Sequence, residues 1–350
     1  MDTPVLRIEL MEERFMDERS SDMRKYFSVE LRTADTLVLS YLMFLTILEL
    51  FVHTNIASWQ VLIVKNLIVA ALMIVGLSSL RRIASMHIRS LWRIAGLLLV
   101  ISFIYQEMGA IIHIIDPQWW DSWINDVETI AFGCYPTVWF QTLASHVLTE
   151  IMMFAYVMYV PLIPGIAVLC HWKGGQETLE RYLTELVLAF FLCYICYFLL
   201  PVAGPSRALQ AHFIGTMDGY FFTAITDYMR SHVHLSGGAF PSAHCAASTV
   251  VLVALFRNHR RFFYALLPFV VLIYVSTVYG WFHYVSDVLG GILVGFTAIW
   301  ASPKILDALN HHRFSVALSW NSVPLVDPAR ECANECDLPT AAIRNKERRQ

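Results

Sequence analysis

The chain has 350 residues, 57% of them hydrophobic and only 15% charged, with a mean hydropathy of +0.54. Globular domains carry about a quarter charged residues, so this composition excludes an ordinary soluble fold and points to lipid as the solvent. A formal net charge of −3 excludes the strongly basic surface of a nucleic-acid binder.

The first 35 residues are dense in Glu, Asp, Arg and Lys and hold no apolar run behind Met1. A cleavable signal peptide needs one, so the first span is expected to insert as an uncleaved anchor. A bilayer core of about 30 Å takes roughly 20 apolar residues per helix. Eight such segments follow, at 36–53, 60–80, 94–115, 147–170, 183–202, 240–256, 262–280 and 283–301. Helix is expected in each, because other backbone geometries leave polar groups unpaired in lipid. There is no internal repeat. The predicted organisation is all-α: a cytoplasmic segment 1–35, two extra transmembrane helices in 36–93, a six-helix core in 94–302, and a polar tail 303–350 expected to be disordered.

Basic residues assign the sides. Of the 25 Lys and Arg, six precede the first span, four lie in Arg81–Arg93, and Lys173 and Arg181 border the next link. Arg257, Arg260 and Arg261 border another, and seven follow residue 303. With eight spans these 22 fall on one side, leaving Arg207 and Arg230 opposite and Lys65 within a span. The positive-inside rule then predicts cytoplasmic termini, with the long links 116–146 and 203–239 facing outward, to a periplasm, lumen or exterior. The first of these links holds Trp119, Trp120, Trp123 and Trp139 but no Lys or Arg, which suits the headgroup zone. Its acidic set, Asp116, Asp121, Asp126 and Glu128, matches no cation-ligand spacing and is expected to be solvated loop charge.

Three stretches with chemical potential fall on that outer face. Gly204-Pro205-Ser206-Arg207 ends the fifth span. Gly237-Gly238-Ala239-Phe240-Pro241-Ser242-Ala243-His244 opens the sixth and reads as a helix start with Pro in its first turn. Such a terminus binds phosphate through free amides and its dipole, with Ser242 as a hydroxyl donor and His244 one turn in. The third stretch, Ser276 to Asp287, joins the last two spans. His283 and Asp287 are four apart and share a helical face; a carboxylate on one ring nitrogen leaves the other free to attack. Arg207, on the side that shuns positive charge, offers a planar fork for phosphate oxygens.

In this order the stretches resemble the type 2 phosphatidic acid phosphatase superfamily over about residues 94–302. Its P-S-G-H motif appears as Pro241-Ser242-Ala243-His244, and its S-R-x5-H-x3-D motif as Ser276, Thr277, His283 and Asp287. Its K-x6-R-P motif keeps only Arg207, with Leu200 and Ala208 at the other places. Two cations are therefore missing, at Leu200 and Thr277, and the pattern is closest to the inositol phosphorylceramide synthase branch, which moves phospho-headgroups between lipids. The resemblance implies a six-helix catalytic core in 94–302. It implies His283 as nucleophile, Asp287 as its orienting partner and His244 as acid and base. Arg207, Ser242 and Gly238 would bind phosphate, and no cofactor or metal is implied. The substrate would be a membrane lipid, and the acceptor a lipid alcohol or, in a phosphatase of phosphatidic acid or prenyl pyrophosphate, water.

Other polar residues carry weaker expectations. His146, Glu150 and Ser276 could touch a headgroup, while Glu49, Lys65, Glu107 and Glu150 could equally pair helix to helix. His212, His232 and His234 are read as surface histidines, Cys193 and Cys196 as core packing, and Cys332 and Cys336 as tail residues. A transporter would place its polar residues at mid-membrane in repeated halves. An enzyme using nucleotide-alcohols and divalent metal would need a D-G-x2-A-R…G-x3-D-x3-D run, and Asp218-Gly219 leads to none. A degenerate, inactive family member, acting as a scaffold, also stays open.

Overall fold

The computed structural model describes residues 28–56, 58–80, 82–232, 237–311 and 315–317. The charged N-terminal segment before Ser28, the tail with Cys332 and Cys336, and His234 lie outside the described residues. The chain divides into two units, Met1–Ser28 with Val316–Gln350, and Val29–Ser315; the second carries the helices. Two three-residue strands, Ser28–Glu30 and Ser315–Ala317, flank the helices in sequence.

Nine helices of more than four residues are present among the described residues. They are α1 (Thr33–Phe51), α2 (Trp59–Leu80), α3 (Met86–Ile111), α4 (Asp121–Phe132), α5 (His146–Leu199), α6 (Phe221–His232), α7 (Ala243–Asn258), α8 (Arg260–Tyr279) and α9 (Val285–His311). Six of them, α1, α2, α3, α5, α8 and α9, are long and apolar enough to cross a membrane, and α7 is a shorter apolar helix. The protein is thus an all-α polytopic membrane protein. Its apolar residues face two ways, as lipid demands. Ile104, Met108, Leu186 and Val250 are fully buried, whereas Leu72, Leu99, Leu293 and Trp300 stand out from the helices.

The 54-residue α5 is two helices joined at Gly175, whose φ of 74° and ψ of −165° break the helical path. The Tyr182 hydroxyl donates to the Ile163 carbonyl at 3.1 Å. Nineteen residues of straight helix would span roughly 28 Å, so the two arms fold back on each other as a hairpin. The polar stretch around Lys173, Gln176 and Glu180, expected as a link, is helical on either side of the break at Gly175, because helical hydrogen bonds are satisfied within the segment whatever the solvent.

The α5 hairpin is the hub of the core, packing against α1, α3, α7, α8 and α9. Helices α7 and α9 approach closely where Gly291 and Gly295 face α7: a Cβ on Gly291 would lie 2.3 Å from the Ser242 carbonyl oxygen, and one on Gly295 2.8 Å from that of Ala246. Small residues allow this backbone contact in the absence of a hydrophobic drive between helices in lipid.

Charges within the spans are paired between helices. Asn66 Nδ2 donates to both Glu49 oxygens, at 3.2 and 3.1 Å, and Lys65 meets Glu107 at 3.2 Å. Asp35 pairs with Arg93. Glu185 accepts from Arg257 at 2.6 Å and from Ser302 at 3.3 Å, tying α5 to α7 and α9. Cys193 is buried and Cys196 partly so, both as free thiols.

Candidate active site

The three motif stretches converge. Val202 and Gly238 form a parallel bridge, and the Ala239 amide donates to the Val202 carbonyl at 3.2 Å, joining the first stretch to the second. The Ser206 amide donates to the Trp281 carbonyl at 3.0 Å, joining the first to the third. The Ser242 amide donates to the Asp287 carbonyl at 2.9 Å, joining the second to the third. Gly204 sits at the crossing with φ of +94°, and a Cβ there would lie 3.2 Å from the Phe282 carbonyl oxygen. Only glycine adopts that conformation without strain and leaves that space open.

His283 stands in the turn between α8 and α9, two residues before α9 begins, and is 5% exposed. Its Nδ1 lies 2.9 Å from the Ala239 carbonyl oxygen and 3.3 Å from Asp287 Oδ2. Both neighbours are acceptors, so Nδ1 carries the proton and Nε2 holds the lone pair. Burial pushes the imidazole down to about 4, the Ala239 carbonyl opposing the shift, which keeps the ring neutral. Asp287 is fully buried, and its Oδ2 also accepts from the Tyr284 amide at 2.8 Å.

The His244 ring lies edge-on to His283, with centroids 5.6 Å apart. Tyr156 and Tyr159 of α5 flank it at 5.0 and 4.6 Å. Tyr156 stacks in turn on Phe282, at 4.1 Å and 10°. The Arg230 guanidinium lies 4.7 Å from the Phe282 ring centre and donates to the Gly280 carbonyl at 2.9 Å; burial lowers its basicity. One stack therefore runs from Arg230 through the turn before His283 to His244.

Ser242 is the N-cap of α7, with its Oγ accepting from the Cys245 amide at 3.4 Å. The helix begins at Ala243, so Pro241 precedes the cap instead of occupying the first turn as the sequence implied. The first-turn amides that follow lack intrahelical acceptors, as at every helix start. Arg207 is exposed, with its guanidinium 5.1 Å from the Trp119 ring centre. Gly238 packs its backbone against Tyr197, whose ring a Cβ would meet at 3.1 Å. Ser276 is fully buried and donates to the Ile273 carbonyl at 2.7 Å.

Glu150 is filled by four donors: the amides of Tyr220, Phe222 and Thr223, at 2.7, 2.7 and 3.2 Å, and the Thr223 hydroxyl at 3.0 Å. It fastens the start of α6 to α5, which is the helix-pairing alternative. His146 is exposed near Tyr220, with rings 6.0 Å apart. His212 and His232 are exposed, as expected.

The acidic set of the link 116–146 requires a correction. Asp121 is 5% and Glu128 1% exposed, so neither is solvated loop charge. Asp121 accepts from the Ala203 and Gly204 amides at 2.8 and 2.9 Å and from the Tyr284 hydroxyl at 3.0 Å. Glu128 accepts from the Ser286 amide at 2.8 Å and its hydroxyl at 3.1 Å. Burial raises both carboxyls, with these donors opposing. The two sit two helical turns apart on α4 and hold the loops that carry Arg207 and His283. Their i, i+7 spacing was the available signal, but without the α4 helix it reads as scattered loop charge. Asp116 caps nearby, accepting from the Gln118 amide and the Trp120 indole.

A family profile described as the PAP2 superfamily matches residues 123–301, just over half of the chain. No curated protein and no solved structure matches the chain. The matched segment starts within α4, beyond the expected residue 94, and contains all three motif stretches.

Proposed function

Because the chain belongs to the PAP2 superfamily and is thereby a membrane enzyme of the lipid phosphatase and phosphotransferase type, we propose that it moves a phospho-headgroup, such as inositol phosphate, from a donor lipid to an acceptor alcohol. The carrier is a phosphohistidine at His283. The observation that supports this most is the Nδ1 of His283 held between Ala239 O and Asp287, with His244 beside it.

In the first half, His283 Nε2 attacks phosphorus in line. The bond to the leaving oxygen breaks, and that oxygen takes a proton from His244. In the second, His244 removes the proton of the incoming hydroxyl, whose oxygen attacks phosphorus and returns the electron pair to Nε2. Asp287 balances the charge that the ring gains. Arg207 and the first-turn amides of α7 hold the non-bridging oxygens, and the chemistry requires no metal ion.

Transfer is preferred to hydrolysis on the cations. Leu200 and Thr277 stand where the superfamily pattern has Lys and Arg, and Thr277 is turned into its own helix, donating to the Tyr274 carbonyl at 2.8 Å. A phosphodiester carries one charge fewer than a monoester and needs fewer cations. The buried aromatic walls formed by Tyr156, Tyr279 and Phe282 help exclude water from the phosphoenzyme. In this proposal the chain crosses the membrane eight times, counting both arms of α5 and the short α7, and the site lies outside the cytoplasm.

The test supplies purified enzyme with a headgroup-labelled phospholipid, with and without a lipid alcohol. Labelled product lipid that depends on the alcohol supports transfer. Inorganic phosphate released from phosphatidic acid or a prenyl pyrophosphate, indifferent to any acceptor, makes the enzyme a phosphatase.

A further inference from the structure

Helix α4 has its polarity inside out. Its buried residues are Asp121, Ile124 and Glu128, whereas Trp123, Val127 and Ile130 are 51%, 38% and 86% exposed. With roughly 100° per residue, the helix has three arcs. Asp121, Ile124 and Glu128 fall on one arc, toward the catalytic loops. Ser122, Asp126 and Thr129, all exposed, fall on a second, polar arc. Trp123, Val127 and Ile130 fall on a third, apolar arc. A helix between protein and water has two arcs. A third, apolar one requires a third medium, and a helix lying in the plane of a bilayer surface meets all three.

The surroundings name that medium. The Trp120 amide, at the head of α4, donates to the Pro201 carbonyl at 2.9 Å, just past the end of α5, so α4 lies where a spanning helix leaves the bilayer. The link 116–146 has no Lys or Arg, and Phe132, Trp139 and Leu143 continue the exposed apolar surface at 51%, 50% and 46%.

We propose that α4 is an interfacial helix seated by Trp123, Val127 and Ile130 at the headgroup–acyl boundary of a bilayer, and that it transmits this seating to the site through Asp121 and Glu128. Asp121 holds the backbone of the Arg207 loop and the Tyr284 hydroxyl; Glu128 holds Ser286, three residues past His283. The catalytic loops are therefore fastened to an element whose position the lipid surface sets. A lipid substrate in the bilayer meets an assembled site, and the bilayer itself is the partner of this surface. The kinetic half of this inference rests on the proposed function; the seating does not.

Two measurements test it. Spin labels are placed singly at 122, 123, 126, 127, 129 and 130 of the full chain with Cys134→Ser, in phosphatidylcholine vesicles, and the signal of the Cys134→Ser protein without an added cysteine is subtracted. Labels at 123, 127 and 130 should be relaxed by oxygen dissolved in the lipid, and those at 122, 126 and 129 by a water-soluble nickel chelate. All six answering to the nickel chelate would overturn the seating, whatever the enzyme's activity. The variant Val127→Asp/Ile130→Asp should raise KM for a vesicle-borne lipid phosphate at least tenfold, with turnover of a water-soluble short-chain phosphate ester unchanged. Equal loss on both substrates would mean that the apolar arc only supports the fold. If the unsubstituted enzyme turns over neither substrate, the proposed function fails, and the label pattern still decides the seating.

Discussion

The variant Asp287→Asn isolates what the buried carboxylate contributes. An asparagine carbonyl can keep the contact with the Tyr284 amide, now 2.8 Å from Oδ2, and the Ala239 carbonyl, 2.9 Å from Nδ1, still selects the Nδ1–H tautomer. What disappears is negative charge 3.3 Å from a ring that, in the proposed mechanism, becomes cationic when Nε2 attacks phosphorus. Unit charges at that separation interact by about 5 kcal/mol at an effective dielectric constant of 20. The retained Ala239 hydrogen bond and the competing Tyr284 donor reduce the net loss to about 3–4 kcal/mol, which is roughly 10²–10³ in kcat. The losses of about 10⁴ seen when a catalytic aspartate also controls the tautomer should not be reached. The assay is single-turnover phosphoryl transfer in detergent or vesicles, with His283→Ala as the zero-activity reference. Activity within threefold of the unsubstituted enzyme would mean that Asp287 carries no charge in the reacting state, and the reasoning would fail.

Asp121→Ala leaves the Ala203 and Gly204 amides and the Tyr284 hydroxyl without their acceptor; at about 1–3 kcal/mol for each buried orphan, unfolding in detergent should shift down by several degrees. An unchanged Tm would show that these contacts are not formed. Burial holds His283 neutral down to about 4, so activity should persist as pH falls through 6.5 and decline only well below it; an acid limb centred at 6.5 would contradict that. For sidedness, in a Cys134→Ser background that removes the exposed native thiol of the outer link, Gln210→Cys should react with an impermeant thiol reagent on intact cells, and Asn258→Cys should not. The reverse pattern would invert the topology.

The spans were readable because lipid imposes one requirement on every residue of a crossing helix. The segments expected at 60–80 and 262–280 lie within two residues of α2 and α8 at each end. Between the fourth and fifth spans hydropathy separated two helices, and only the Gly175 backbone shows how they join. Arg207, His244, His283 and Asp287 were legible because each is a costly group at the edge of an apolar segment. Their supports were not. Ala239 acts through its carbonyl, which any residue supplies. Tyr156 and Tyr159 are aromatics among many in an apolar helix, and Asp121 and Glu128 turn inward on a helix whose exposed side is partly apolar. Arg230 was singled out by its side of the membrane, but its packing on Phe282 depends on long-range folding of α6 against the turn at Gly280.

The central claim is that His283 carries the transferred group. Enzyme mixed with phosphorus-labelled donor lipid and quenched in alkali, which preserves phosphoramidates, should yield label on a peptide containing His283. The label should be absent from His283→Ala and discharged from the unsubstituted enzyme by acceptor. Label retained in His283→Ala, or turnover at full rate with no labelled protein at any time, would contradict it.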